Sequence, residues 1–233
     1  MNDKTRKATP QGRPASSPCL AAEIAPDWFD PLGVDPQQAI DVARWRKATR
    51  ARLLAQRKAV SIEAARETGA ALAAWLRAFL AGRIGAPRGC VLSGYWPIKA
   101  EPDLREVLVA WHDEGGIAAL PLVETVAAPL VFRRWTPETR MVRGHWNIPV
   151  PPPEAEVLRP DICLAPLVGW DAEGYRLGYG GGYFDRTLAA LRPRPLTIGI
   201  GTEAARLATI HPQPHDIGLD MIVTEAGIRH TRT

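Results

Sequence analysis

Residues 176–186 read Arg-Leu-Gly-Tyr-Gly-Gly-Gly-Tyr-Phe-Asp-Arg, a stretch that gathers four glycines, two arginines, aromatic rings and one carboxylate between apolar segments. Glycine lets the backbone take positive φ and approach a ligand closely, so successive N–H groups can converge on phosphate oxygens. A helix predicted from about Tyr183, with Phe184, Leu188 and Leu191 on one face, brings its positive N-terminal end to the same point. The amides of Gly178, Gly180, Gly181 and Gly182 then form a polyanion cradle, flanked by Arg176 as a phosphate ligand and Asp185 as a magnesium ligand. No Lys-Ser or Lys-Thr follows the glycines as in a P-loop, and the Tyr-Phe-Asp ending is foreign to a dinucleotide fold. A plain glycine-rich turn is the competing interpretation.

The elements that must hold this loop alternate along the chain. A strand is expected over 161–167, and residues 171–174 read as a turn leading into the loop. Further strands are predicted at 89–95, 117–123, 130–134, 196–201 and 219–224. Between them come a basic helix from about 36 to 57, a helix capped by Ser61 and ending before Gly82, and a helix after Asp103. Leu72, Trp75, Leu76, Phe79 and Leu80 make the apolar stripe of the second helix, and Leu104, Val107, Leu108 and Trp111 that of the third. Strands alternating with helices predict an α/β fold: an open, mainly parallel sheet with helices on both faces, a Rossmann-like three-layer sandwich with ligands at the carboxyl ends of the strands. On the first helix Arg46, Arg50 and Arg57 share one face, which a solvated cationic surface would also explain.

The glycine loop, together with Trp146-Asn-Ile-Pro149, residues 166–171 (Pro-Leu-Val-Gly-Trp-Asp) and His215-Asp216, resembles the 5-formyltetrahydrofolate cyclo-ligase family. The resemblance runs from about residue 46 to 225. It implies an ATP- and magnesium-dependent ring closure of 5-formyltetrahydrofolate to 5,10-methenyltetrahydrofolate, with ADP and phosphate released through a phosphorylated formyl intermediate. It also implies roles for particular residues. Arg46, or Lys47 beside it, and Arg50 would reach the nucleotide together with Arg176 and the loop from Gly178 through Phe184. Trp96 and Glu101 would line the folate pocket, with Trp146 as a second aromatic wall. Tyr179 and Tyr183 would touch both substrates, and Asp185 and Asp216 would hold the metal. Catalysis would fall on Arg176, Tyr183 and Asp185. The chain departs from the family pattern at Phe184, often a second tyrosine, and at Thr202 and Ala205, where phenylalanine and glutamine are usual.

At 233 residues, 46% hydrophobic and 23% charged, the chain is long enough for one sizeable core. One domain is expected over residues 39–228, preceded by a disordered basic extension over 1–38 containing Pro10, Pro14, Ser16, Ser17 and Pro18. No apolar run is long enough to span a bilayer or serve as a signal peptide, so a cytoplasmic monomer acting on small molecules, with no membrane or nucleic-acid partner, is expected. Cys19, Cys90 and Cys163 have no paired spacing and indicate neither disulfides nor a metal cluster. His211 and His215 have prolines between them and no third ligand nearby, so they do not read as a zinc site. Two rival functions stay open. One is a protein of the same fold that binds nucleotide or folate without turnover or acts on another substrate. The other is a basic nucleic-acid-binding module, suggested by the net charge of +4 and the arginine-rich helix.

Overall fold

The computed structural model describes residues 36–232. The predicted extension therefore lies outside the described residues except at 36–38, which already belong to the first helix. In chain order the elements are α1 (Pro36–Ala59), α2 (Ile62–Ile84), β1 (Val91–Ser93), α3 (Arg105–Asp113), β2 (Ile117–Leu122), β3 (Val131–Trp135), β4 (Val142–Arg143), β5 (Pro149–Val150), β6 (Val157–Leu158), β7 (Ile162–Pro166), β8 (Gly169–Trp170), β9 (Arg176–Leu177), α4 (Tyr183–Ala190), β10 (Leu196–Ile200), β11 (Met221–Thr224) and β12 (Gly227–Thr231). The main sheet has eight strands in the order β12-β11-β10-β7-β1-β2-β3-β6. Its five central strands run parallel, while β12, β3 and β6 pair antiparallel at the edges. This is the open, mainly parallel α/β sheet expected from the alternation of elements.

Alternation along β7 shows how one strand feeds both layers. Ile162 and Leu164 join the core under α2 and α3, whereas Cys163 and Ala165 face the layer containing α4. Leu72, Leu76 and Leu80 of α2 and Leu108 of α3 are essentially inaccessible, as their helical spacing predicts, whereas Trp75 of the same expected stripe is 46% exposed. Ser61 caps α2 by accepting the Ala64 N–H at 3.1 Å. The expected stop before Gly82 is corrected: α2 continues to Ile84 and ends at Gly85, whose positive φ of 68° glycine takes without strain. Gly82 has open space around its Cα, so it costs only the roughly 1 kcal/mol of a helical glycine and cannot by itself end the helix.

Gly94, which follows β1 directly, is a packing glycine. A Cβ there would lie 2.6 Å from Leu108 Cδ1 in the buried core. Gly94→Ala is expected to destabilise the protein by about 1–3 kcal/mol through overpacking, measurable as a lower denaturation midpoint with an unchanged m-value.

Candidate active site

One cavity of about 920 Å³ opens where β1, β2 and β7 end, and α1 crosses it. Every residue singled out in the sequence as a site candidate lines it: Arg46, Lys47 and Arg50 from α1, Trp96 and Glu101 after β1, Trp146 from the β4–β5 hairpin, Arg176 through Asp185 around the glycine loop, and Asp216. Carboxyl ends of parallel strands are where an open α/β sheet leaves a crevice.

The loop's shape follows from its glycines. Gly180 and Gly182 have φ of 102° and 63°, and Gly182 immediately precedes α4. A side chain at Gly182 would be strained and would meet Arg186 Nη1 at 3.0 Å. Arg186 is the brace that local reading of the sequence missed. Only 6% exposed, it donates to the Gly181 carbonyl and lies 5.0 Å over the Tyr183 ring. From the other side Arg50 Nε donates to the Gly178 carbonyl at 2.8 Å. Arg57 Nη1 reaches the Tyr179 hydroxyl at 3.4 Å, and a second N–H binds the Leu167 carbonyl. The shared arginine face of α1 is thus turned onto the loop, which rules out a wholly solvated face.

Arg46 ties α1 to the segment after β10. Its guanidinium pairs with Asp216 and donates to the carbonyls of Ile210 and His211 at 3.0 and 2.9 Å. Lys47 is exposed on the same rim. Arg176 and Asp185 form the second ion pair, at 2.8 Å and almost wholly buried. Both also grip the backbone of one residue, since the Ile217 N–H donates to Asp185 Oδ1 at 3.0 Å and Arg176 Nη1 donates to the Ile217 carbonyl at 3.0 Å. Arg176 Nη2 lies close to Asp185 but off the line of a hydrogen bond, so a buried N–H stays unmatched. An unmatched buried donor of this kind costs roughly 1–3 kcal/mol, offset here by the adjacent Asp185 charge.

The donors fit magnesium unequally. Both contacts to Asp185 fall on Oδ1, which leaves Oδ2 as a candidate ligand. Asp216 has both oxygens engaged, Oδ1 and Oδ2 by Arg46 and Oδ2 also by the Gln213 N–H at 2.6 Å. Magnesium commonly takes one or two carboxylates plus phosphate oxygens and water, so the free oxygen of Asp185 fits such an ion, whereas Asp216 as it stands is committed to Arg46.

The opposite wall is apolar and aromatic. Ile98, Leu122, Val123, Leu130 and Ile148 line it with Trp96, which stacks under Arg105 at 4.7 Å. Trp146 stands edge-on to Tyr183 with ring centroids 5.6 Å apart. Glu101 is buried at its end of this wall. It accepts from the Tyr179 hydroxyl at 2.8 Å and, through Oε2, from the Ile98 N–H at 2.8 Å. Burial pushes its pKa above the ordinary carboxylate range against these bonds and the nearby cations Arg57 and Lys99. Tyr179 is also raised, chiefly by burial and then by the adjacent carboxylate. Lys99 and Ala100 hold left-handed φ of 48° and 57°, which turns the chain so that Glu101 N–H meets the Ile98 carbonyl. Phe184 lines the cavity beneath Arg176, whereas Thr202 and Ala205 are absent from its wall.

A glycine loop ringed by arginines and joined to an aromatic-walled cavity at the carboxyl ends of a mainly parallel sheet is the arrangement of an α/β enzyme site. The sequence profile of the 5-formyltetrahydrofolate cyclo-ligase family matches residues 42–225, and the chain belongs to that family. A 5-formyltetrahydrofolate cyclo-ligase from Mycolicibacterium smegmatis is 30% identical over 191 residues, covering 78% of this chain and 94% of that protein. Among solved structures, the 5,10-methenyltetrahydrofolate synthetase of Aquifex aeolicus superposes with a TM-score of 0.65 at 28% identity, over 81% of this chain and 93% of that one. That of Mycoplasma pneumoniae shares the fold with a TM-score of 0.62 at 24% identity, over 77% and 98%.

Proposed function

We propose that the protein cyclises 5-formyltetrahydrofolate to 5,10-methenyltetrahydrofolate at the expense of ATP, with ADP and phosphate as the other products and magnesium as the metal. The observation that carries this reading is the single cavity in which an anion cradle meets an aromatic wall across one loop. An N-formyl oxygen is a poor nucleophile and cannot leave as water at neutral pH, so it must first be made a leaving group. In the proposed sequence the formyl oxygen attacks the γ-phosphorus and the bond to ADP breaks. N10 then adds to the activated carbon, the carbon–oxygen bond breaks with release of phosphate, and the N10 proton is lost.

The protein's contribution is alignment and charge neutralisation, and positioning alone is worth several kcal/mol in reactions of this type. The glycine-loop amides, Arg176 and Arg50 would face the transferring group. Tyr183, pinned between Trp146 and Arg186, would keep the two substrates in line. Magnesium would be held by Asp185 and Asp216 and would supply neutralisation of the phosphate oxygens. Trp96 and Trp146 would sandwich the pterin, while Glu101 accepts from its amino edge with lone pairs beyond those used by Tyr179 and Ile98. Purified protein mixed with 5-formyltetrahydrofolate, ATP and magnesium should develop the methenyl chromophore, and no development under any condition would refute the proposal.

Two smaller predictions follow from the walls of the site. Arg50→Ala removes a charged partner of the loop and should raise the KM for ATP roughly tenfold or more, with a smaller change for the folate, in steady-state kinetics. Because burial raises the Glu101 pKa, its negative charge is lost at a higher pH than for an ordinary carboxylate, which weakens it as an acceptor. The folate KM should therefore rise as pH falls in wild type, and Glu101→Gln should lack that limb.

A further inference from the structure

Arg57 stands in the last turn of α1, two turns beyond Arg50, half-buried behind the glycine loop rather than on the cavity wall. Arg50 and Arg57 thereby hold adjacent loop residues, one by the Gly178 carbonyl and the other by the Tyr179 hydroxyl. A guanidinium only donates, so the Tyr179 oxygen accepts from Arg57 and the single phenol proton goes to Glu101 Oε1 at 2.8 Å. Cation, phenol and carboxylate form one polarised chain from α1 to the folate wall, in which each bond strengthens the next. The other Glu101 oxygen accepts from the Ile98 N–H, so the carboxylate is held on both sides. Arg57 spends its second bond on an uncharged group, the Leu167 carbonyl, and the charge it stabilises is Glu101 beyond the phenol.

We propose that Arg57 is a positioning residue for folate binding, which acts through the Tyr179 hydroxyl to hold the Glu101 carboxylate against the amino edge of the substrate. The proposal rests on the function given above. The charged and titratable groups around Glu101 are Arg57 of α1, Tyr179 of the loop, and Tyr95 and Lys99 of the segment after β1. Tyr95 and Tyr179 are raised by burial and then by Glu101 itself, so both keep their protons, and Tyr95 gives its own to the Pro102 carbonyl at 2.8 Å. Burial favours the neutral acid at Glu101, and the Ile98 and Tyr179 bonds oppose it, followed by the charges of Arg57 and Lys99. Lys99 is exposed over the Tyr179 ring, where water screens it, which leaves Arg57 as the better shielded of the two cations. At 3.4 Å the Arg57–Tyr179 contact is long for a hydrogen bond, so the charge contributes more than the fork geometry of the guanidinium.

The test uses the full chain with Arg57→Met, Arg57→Lys, Tyr179→Phe and the Arg57→Met/Tyr179→Phe double variant. Protonation of Glu101 is followed without ligand by ¹³C NMR of protein labelled at its glutamate carboxyls, with Glu101→Gln to assign the signal. Affinity for 5-formyltetrahydrofolate is read against pH by tryptophan fluorescence, and KM for each substrate by turnover. In Arg57→Met, Glu101 should titrate at higher pH than in wild type, and folate binding should begin to weaken at correspondingly higher pH. Near neutral pH the variant should bind folate about tenfold more weakly while the ATP KM stays within about threefold. Arg57→Lys keeps the charge and should restore most of the affinity and the wild-type pH limb, whereas a helix anchor needing two acceptors at once would not be rescued by lysine. On the Tyr179→Phe background, Arg57→Met should add little further loss. An unmoved Glu101 titration in Arg57→Met, equal losses for both substrates without rescue by lysine, or fully additive losses in the double variant would overturn the proposal. A wild type without folate affinity would overturn the function proposed for the site and the folate role of Arg57 with it, while the Glu101 titration would still decide whether Arg57 governs that carboxylate.

Discussion

Asp185→Asn is expected to lower kcat by roughly 10²–10³-fold, the size of effect seen when a single charge-stabilising group is removed from a transferring centre. The reason lies in its two partners. Asp185 neutralises Arg176 and anchors the Ile217 amide, and it is the acid with an oxygen left for a metal. Asparagine keeps an oxygen for the amide but gives up the charge. Arg176 would then face the cavity without its counter-ion, so ADP measured in the presence of a chelator should bind the variant at least as tightly as wild type. Loss of turnover with nucleotide affinity retained separates a metal-ligand role from simple unfolding, and equilibrium dialysis beside steady-state assays reads both. Wild-type kcat in the variant would remove Asp185 from the chemistry.

The second large effect concerns the same pair as structure. Arg176→Met leaves a carboxylate buried without its cation and should cost about 3–5 kcal/mol of stability. Replacing both partners, as Arg176→Met with Asp185→Leu, removes the stranded charge as well. Because buried ion pairs often contribute little net stability over apolar residues of similar size, the double variant should regain most of the loss while staying inactive. Denaturant unfolding of the wild type, the two single variants and the double variant closes the cycle. A double variant as unstable as the sum of the singles would mean that the pair is not coupled and that Arg176 is held by other contacts.

Local chemistry carried much of this molecule into the open. Ser61 announces the start of α2 because a hydroxyl three residues before a free N–H is a complete signal within one turn. The glycine loop is legible for the same reason, since its conformational demands and its flanking charges lie within eleven residues. Long-range pairing was less readable. Arg57 shares a face with Arg46 and Arg50, yet its partners at Leu167 and Tyr179 lie more than a hundred positions away. Arg186 reads as a surface charge in a helix's first turn until the loop folds back and offers its Gly181 carbonyl. Arg46 and Asp216, expected as separate ligands, turn out to hold each other, as do Arg176 and Asp185. Glu101, expected to line the folate pocket, already takes a bond from Tyr179.

The central claim is that the formyl oxygen itself receives the phosphoryl group. It is tested most directly by turning over 5-formyltetrahydrofolate labelled with ¹⁸O in the formyl group and analysing the released phosphate by mass spectrometry. The account predicts that each phosphate carries the label, since the carbon–oxygen bond breaks only after the oxygen has bonded to phosphorus. Unlabelled phosphate, with the heavy oxygen recovered in water, would contradict it.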